Sequence, residues 1–193
     1  MTGVVRSNLK LEHMPLDFFE KILKGIDLSH THFIKFCGES GDPMMHPHIE
    51  NFISKITIDN NQYNCTVIIS TNGGLRTPKW YSKMASLNRD NLAIVFGIDG
   101  IDHDINWKYR EGVDWQRAMD NMVAFKKAGG HAVWQFIIFP WNIHQIESAN
   151  KKANSLNIPI NFIFNERNGK GQLSESDILY SKSILREINH GMS

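Results

Sequence analysis

The stretch HFIKFCGESGDPMMHP, residues 32–47, runs from an apolar segment straight into glycines, acids, prolines and a histidine. Its first six residues show no helical spacing and carry Phe33, Ile34 and Phe36, so they read as a strand. Gly38, Glu39, Gly41, Asp42 and Pro43 then stop any regular element and set two carboxylates on a turn of small residues. A buried strand that ends in such a turn belongs to a fold that keeps its polar chemistry at strand ends.

The pattern recurs. Apolar runs rich in β-branched and aromatic residues follow at 65–70 (CTVIIS), 92–98 (LAIVFGI), 132–139 (AVWQFIIF) and 160–164 (INFIF). They are mostly continuous rather than alternating, as in strands of a parallel sheet covered by helices on both faces. Helical segments lie between them. Leu16, Phe19, Ile22, Leu23 and Ile26 follow Pro15 at helical spacing, Thr77-Pro78 starts a second helix, and Asp114 caps a third that Gly129-Gly130 ends. Two more are expected at 143–156 and, capped by Ser174, at 174–188. The order is helix, then four strand-helix units, then a fifth strand and a last helix. Parallel strands with helical crossovers make either an open doubly wound sheet or part of a (β/α) barrel.

The 193 residues suffice for one well-buried core, and 1–193 is expected to form a single domain. A formal charge of +1 with no basic run gives no reason to expect a nucleic-acid partner. No apolar segment approaches the ~20 residues of a membrane span, and no signal peptide is evident, so a soluble cytoplasmic chain is expected. Cys37 and Cys65 are the only cysteines. Both read as small buried hydrophobes rather than a disulfide or ligand pair.

In both candidate architectures ligands bind beyond the carboxyl ends of the strands. Those ends read 38-GESGDP-43, 70-STNGG-74, 99-DG-100, 140-PWN-142 and 165-NER-167. Turn chemistry alone favours such residues. Yet three of the five ends combine glycine with carboxylate, amide or hydroxyl side chains, the composition of a site for amines and hydroxyls. Gln135 and Asn142, polar among apolar neighbours, are further candidates for pocket contacts, while Trp134, Phe136, Phe139 and Trp141 read as core packing.

Taken in order, GESGDPMMHP (38–47), STNGG (70–74), GIDG (97–100), YREGVDW (109–115) and AGGHAVWQFIIFPWNIHQ (128–145) resemble the radical S-adenosylmethionine superfamily. The branch resembled is the one with auxiliary-cluster (SPASM) or twitch-type C-terminal regions. The resemblance implies a (β/α)6 TIM-like barrel, here partial and lacking its first strand. It also implies that Gly41, Asp42 and Pro43 take the amino group of the cofactor's methionine, with Asp42 as the ammonium acceptor. Ser70, Asn72, Asp99 and Arg110 join them, Arg110 on the cofactor carboxylate. Gly97 stands where many relatives carry a serine on the ribose.

The family's C-x-x-x-C-x-x-C triplet, whose three thiolates hold a [4Fe–4S] cluster, is absent from this sequence. In relatives that cluster reduces S-adenosylmethionine to a 5′-deoxyadenosyl radical, an oxidoreductase chemistry that belongs to the cofactor. The expectation is an N-terminally truncated chain: the cluster only in the full-length protein, this chain inactive alone, the substrate unknown. A non-catalytic scaffold that still binds the cofactor or a partner is the main alternative. A metal-dependent hydrolase using His46 and His48 is another, although no metal ligand is assigned; the pair flanks Pro47, where a surface or capping role fits as well.

Overall fold

The computed structural model describes residues 12–38, 41–57, 65–87, 90–165, 169 and 171–190. Five strands, β1 (Phe33–Phe36), β2 (Thr66–Thr71), β3 (Leu92–Gly97), β4 (His131–Ile138) and β5 (Ile160–Phe164), form one sheet. All four pairings are parallel and the spatial order equals the sequence order. That order decides between the two architectures, because a doubly wound sheet reverses its winding at a switch point and a barrel does not. The fold is an open segment of a (β/α) barrel.

Helices α1 (Leu16–Gly25), α2 (Ile49–Thr57), α3 (Pro78–Leu87), α4 (His103–Trp107), α5 (Trp115–Lys127), α6 (Ile146–Ser155) and α7 (Glu175–His190) fill the connections. Their ends follow the expected signals. Asp114 accepts the Arg117 N–H at 3.1 Å, and Ser174 and Asp177 cap each other's backbone N–H groups at 3.1 and 3.0 Å. At the other end of α5, Gly129 adopts φ +92°, and the N–H groups of Gly129 and Gly130 bond the carbonyls of Lys126 and Phe125. This is a Schellman stop, which explains why a glycine pair stands there.

Within the sheet, Val67 and Ile69, Leu92, Ile94 and Phe96, and Trp134, Phe136 and Ile138 are fully buried. Each such side chain is worth roughly 1.5–3 kcal/mol relative to exposure. The residues that alternate with them, including Ser70, Val95 and Gln135, are partly open. That second face is the concave side of the unclosed barrel, and register aligns Ser70 with Val95 and Gly97 with Gln135 along it.

β1 is the sheet's edge. Among the described residues it pairs only with β2, and Phe33 is 58% exposed, as expected for an edge strand. The expectation of two buried cysteines fails here: Cys65 is buried but Cys37, one residue past the end of the edge strand, is exposed. No helix among the described residues is long and apolar enough to cross a membrane.

Candidate functional site at the carboxyl rim

Two buried aspartates organise the rim. Asp42 begins the short 3-10 turn Pro43–Met45, where its Oδ1 accepts the Met44 N–H at 2.9 Å. The same carboxylate reaches the end of β2. Thr71 Oγ1 donates to both of its oxygens, at 2.9 and 2.8 Å, and the Asn72 N–H donates to Oδ2 at 2.8 Å. With Thr71 shared between them, each carboxylate oxygen receives two contacts from these three donors. Asp42 therefore ties the loop after β1 to the loop after β2. Behind it, burial and then the Asp42 charge push the Tyr81 phenol far up.

The second aspartate, Asp99, follows β3 and is completely buried. Its Oδ2 accepts Arg110 Nε at 2.7 Å and its Oδ1 accepts the Ile137 N–H at 2.6 Å. Its backbone is pinned as well, by Asn106 Oδ1 and Asn142 Nδ2. Burial pushes the Asp99 carboxyl up, while Arg110 and the Ile137 N–H pull it back. A Cβ on Gly97 would lie 2.6 Å from Arg110 Nη2. The guanidinium occupies the space a serine would need, so the missing side chain at 97 and the arginine at 110 are one arrangement.

Between these anchors lies a polar cavity of about 110 Å³ that Gly41, Asp42, Ser70, Asn72, Arg110 and Gln135 line. Of the expected site residues, Pro43 lies outside it, on the wall of an adjoining apolar cavity of about 550 Å³. The two cavities share Cys37, Gly38, Gly41 and Asp42. Asp99 stands one layer behind, reaching the cavity through Arg110. Asn142 is not a pocket residue: fully buried, it donates to the carbonyls of Asp99 and Ile137 and accepts the Phe139 N–H. Glu166 and Arg167 of the last rim segment fall outside the described residues.

Sequence reasoning passed over Arg76 and Tyr81. Each acts from behind the rim, and no spacing marks either one.

The cavity suits the charged end of an α-amino acid, with a carboxylate and a guanidinium on its walls. At about 110 Å³ it is below the ~300 Å³ at which whole-ligand pockets begin, so the rest of a larger ligand would extend beyond it. An iron–sulfur cluster does not fit the cysteines present. Cys37 follows β1 at the carboxyl rim, whereas Cys65 precedes β2, five residues before Ser70 at the opposite end of the sheet. At ~3.3 Å per residue they are far too separated to share a metal site. His46 has both ring nitrogens engaged, Nδ1 by the His48 N–H at 3.1 Å and Nε2 by the Met14 carbonyl at 3.0 Å. Among the described residues no three His, Cys, Asp or Glu side chains converge as a metal site.

Sheet order, rim polarity and the two buried aspartates define a (β/α)-barrel segment with a polar cavity at its carboxyl face. Residues 6–152 match the Radical SAM superfamily, and the chain belongs to that superfamily. Among solved structures it is similar to anSMEcpe with bound AdoMet, at TM-score 0.75 and 18% identity, covering 96% of this chain and 52% of that one. It is also similar to Streptococcus suis SuiB bound to S-adenosylmethionine, at TM-score 0.74 and 15% identity over 96% of this chain and 43% of that one. Methylornithine synthase (PylB) follows at TM-score 0.57 and 15% identity, with 94% and 55% covered. At these identities the likeness is one of fold, and the chain spans about half the length of those proteins. No curated protein matches the chain significantly.

Proposed function

We propose that this chain binds S-adenosylmethionine at the carboxyl rim, as the cofactor-binding part of a radical S-adenosylmethionine enzyme of the twitch or SPASM-like branch. The single observation that carries the reading is the polar cavity whose walls hold Asp42 and Arg110. An ammonium pairs with the Asp42 carboxylate on the cavity wall, a carboxylate takes the outer edge of the Arg110 guanidinium, and Ser70 and Asn72 supply neutral partners. Gly41 lets the ligand lie against the backbone, and Asp99 holds Arg110 in place. The nucleoside extends along the concave face past Val95 and Gln135. S-adenosylmethionine supplies a sulfonium whose reductive cleavage needs an electron from a [4Fe–4S] cluster. With two distant cysteines the chain has no ligand set for that cluster, so by itself it binds the cofactor without turning it over.

Calorimetric titration of the chain with S-adenosylmethionine tests this reading. Saturable one-site binding is expected, weakened about tenfold or more in Asp42→Asn, since hydrogen bonds to charged groups are worth about 1.5–3 kcal/mol. Absence of binding at millimolar cofactor, or an Asp42→Asn variant as tight as wild type, overturns it. Anaerobic incubation with iron and sulfide is expected to leave the chain colourless, and a brown protein would refute the part of the reading that gives these residues no cluster ligand set.

A further inference from the structure

Among the described residues, Arg76 is the one arginine with a left-handed backbone. Its φ of +65° lies in the left-handed region that favours glycine. Its neighbours Gly73 and Gly74 show that the loop has glycines available, yet the arginine stands at the left-handed position. A strained non-glycine residue persists where the surroundings hold it, and such positions cluster at functional sites.

The surroundings here are specific. Arg76 Nε donates to the Met44 carbonyl at 3.1 Å, and Nη2 donates to the His46 carbonyl at 2.6 Å. Those carbonyls belong to the end of the 3-10 turn that Asp42 begins. Asp42 caps the turn from its N-terminal side, and the guanidinium closes it from the other. Arg76 is itself held from behind, its Cζ 5.5 Å from the Trp80 ring centroid. The Trp80 indole N–H bonds Glu50 on α2, which also pairs with Lys83 at 2.9 Å. With Thr71 and Asn72 on Asp42, the loop after β2 grips the loop after β1 from both ends of one short turn.

We infer that Arg76 is the positioning residue that fixes the Asp42 turn in its binding geometry, through its two hydrogen bonds to the Met44 and His46 carbonyls. The inference rests on the proposed cofactor site for its consequence, though not for the clamp itself. Arg76 touches no part of the polar cavity, so its effect on a ligand passes entirely through the turn.

The test compares the wild-type chain with Arg76→Gly and Arg76→Lys. Glycine removes the guanidinium while accepting the left-handed backbone, so loss of the clamp is separated from backbone strain. Lysine keeps the charge but can restore only part of the two-pronged contact. Amide hydrogen exchange is followed without ligand at Met44, Met45 and His46, whose N–H groups bond Asp42 and Pro43, and S-adenosylmethionine affinity is measured by calorimetry. Arg76→Gly is expected to speed exchange at these three amides at least about fivefold with β2–β4 unchanged, and to weaken the cofactor about tenfold, with Arg76→Lys between. Unchanged exchange in the turn overturns the clamp, as does acceleration spread evenly over the sheet. Wild-type affinity in Arg76→Gly, despite a loosened turn, overturns the positioning role. If the wild-type chain binds no cofactor, the proposed function fails while the exchange data still decide the clamp.

Discussion

Replacing Arg110 by Met tests the electrostatics of the rim without reference to any ligand. Asp99 is 0% exposed, and its two side-chain hydrogen bonds come from Arg110 Nε and the Ile137 N–H. Methionine fills most of the volume and leaves a buried carboxylate with one donor. Removing one partner of a buried ion pair costs about 3–5 kcal/mol. In a domain of this size each kcal/mol moves the melting temperature by about 2–4 °C, so a fall of roughly 6–20 °C is expected. The loss carries a pH signature. Burial holds the folded pKa of Asp99 above its unfolded value. The folded state then keeps its proton longer, and stability declines as pH rises from the unfolded to the folded pKa. Without Arg110 the folded pKa climbs further, so the deficit is smallest near pH 4, about the unfolded value, and grows toward neutrality. Urea unfolding followed by circular dichroism across that range measures both. The double variant Asp99→Asn/Arg110→Met keeps an acceptor for the Ile137 N–H without a charge and should recover at least half the loss. A variant within about 1 kcal/mol of wild type at neutral pH, the range of an exposed pair, would refute the reasoning. A pH-independent loss that Asp99→Asn fails to relieve would refute it equally.

Thr71→Val removes the hydroxyl shared by both Asp42 oxygens and should cost about 1.5–3 kcal/mol in urea unfolding, with Thr71→Ser close to wild type. Gly130→Ala sets a methyl 2.5–2.7 Å from the buried Phe125 ring and should cost about 1–3 kcal/mol by the same measurement, whereas a silent substitution would mean the Schellman turn can shift. Burial is the main cause that lowers the His46 pKa. A base with a lowered folded pKa stabilises the fold above its unfolded pKa and loses that contribution as pH falls through about 6.5. Melting temperatures should therefore drop between about pH 7.5 and pH 5.5, and His46→Gln should flatten part of that slope.

The strands were legible because each is a short apolar run closed by glycine, aspartate, asparagine or proline, and the helix ends because Asp114, Ser174 and the Gly129-Gly130 pair each carry a local signal. What local signals could not supply was strand order, which separates a barrel segment from a doubly wound sheet and depends on long-range pairing. Cys37 misled for a related reason. Its apolar neighbours predict burial, but burial at the end of an edge strand depends on whether another element covers it. Asn142 misled in the opposite direction, since a polar residue among apolar ones can serve buried backbone groups as readily as a ligand.

The site was half legible, and the boundary follows from how each residue acts. Gly41, Asp42, Ser70, Asn72 and Arg110 touch the cavity; residue type at a strand end was enough to nominate the first four, and the family resemblance nominated Arg110. The residues that hold them act through volume or through backbone carbonyls, neither of which a residue type announces. Gly97 is the clearest case. Read alone it is a lost hydroxyl, a defect relative to the serine of many relatives. In three dimensions it is the floor on which Arg110 lies, and a Cβ there would reach within 2.6 Å of Nη2 while Asp99 holds the same guanidinium at 2.7 Å. A serine could return to position 97 only if Arg110 withdrew from a carboxylate that has no exposed surface. The glycine at 97 and the arginine at 110 therefore constrain each other, and a buried acid fixes the cation in the space between them.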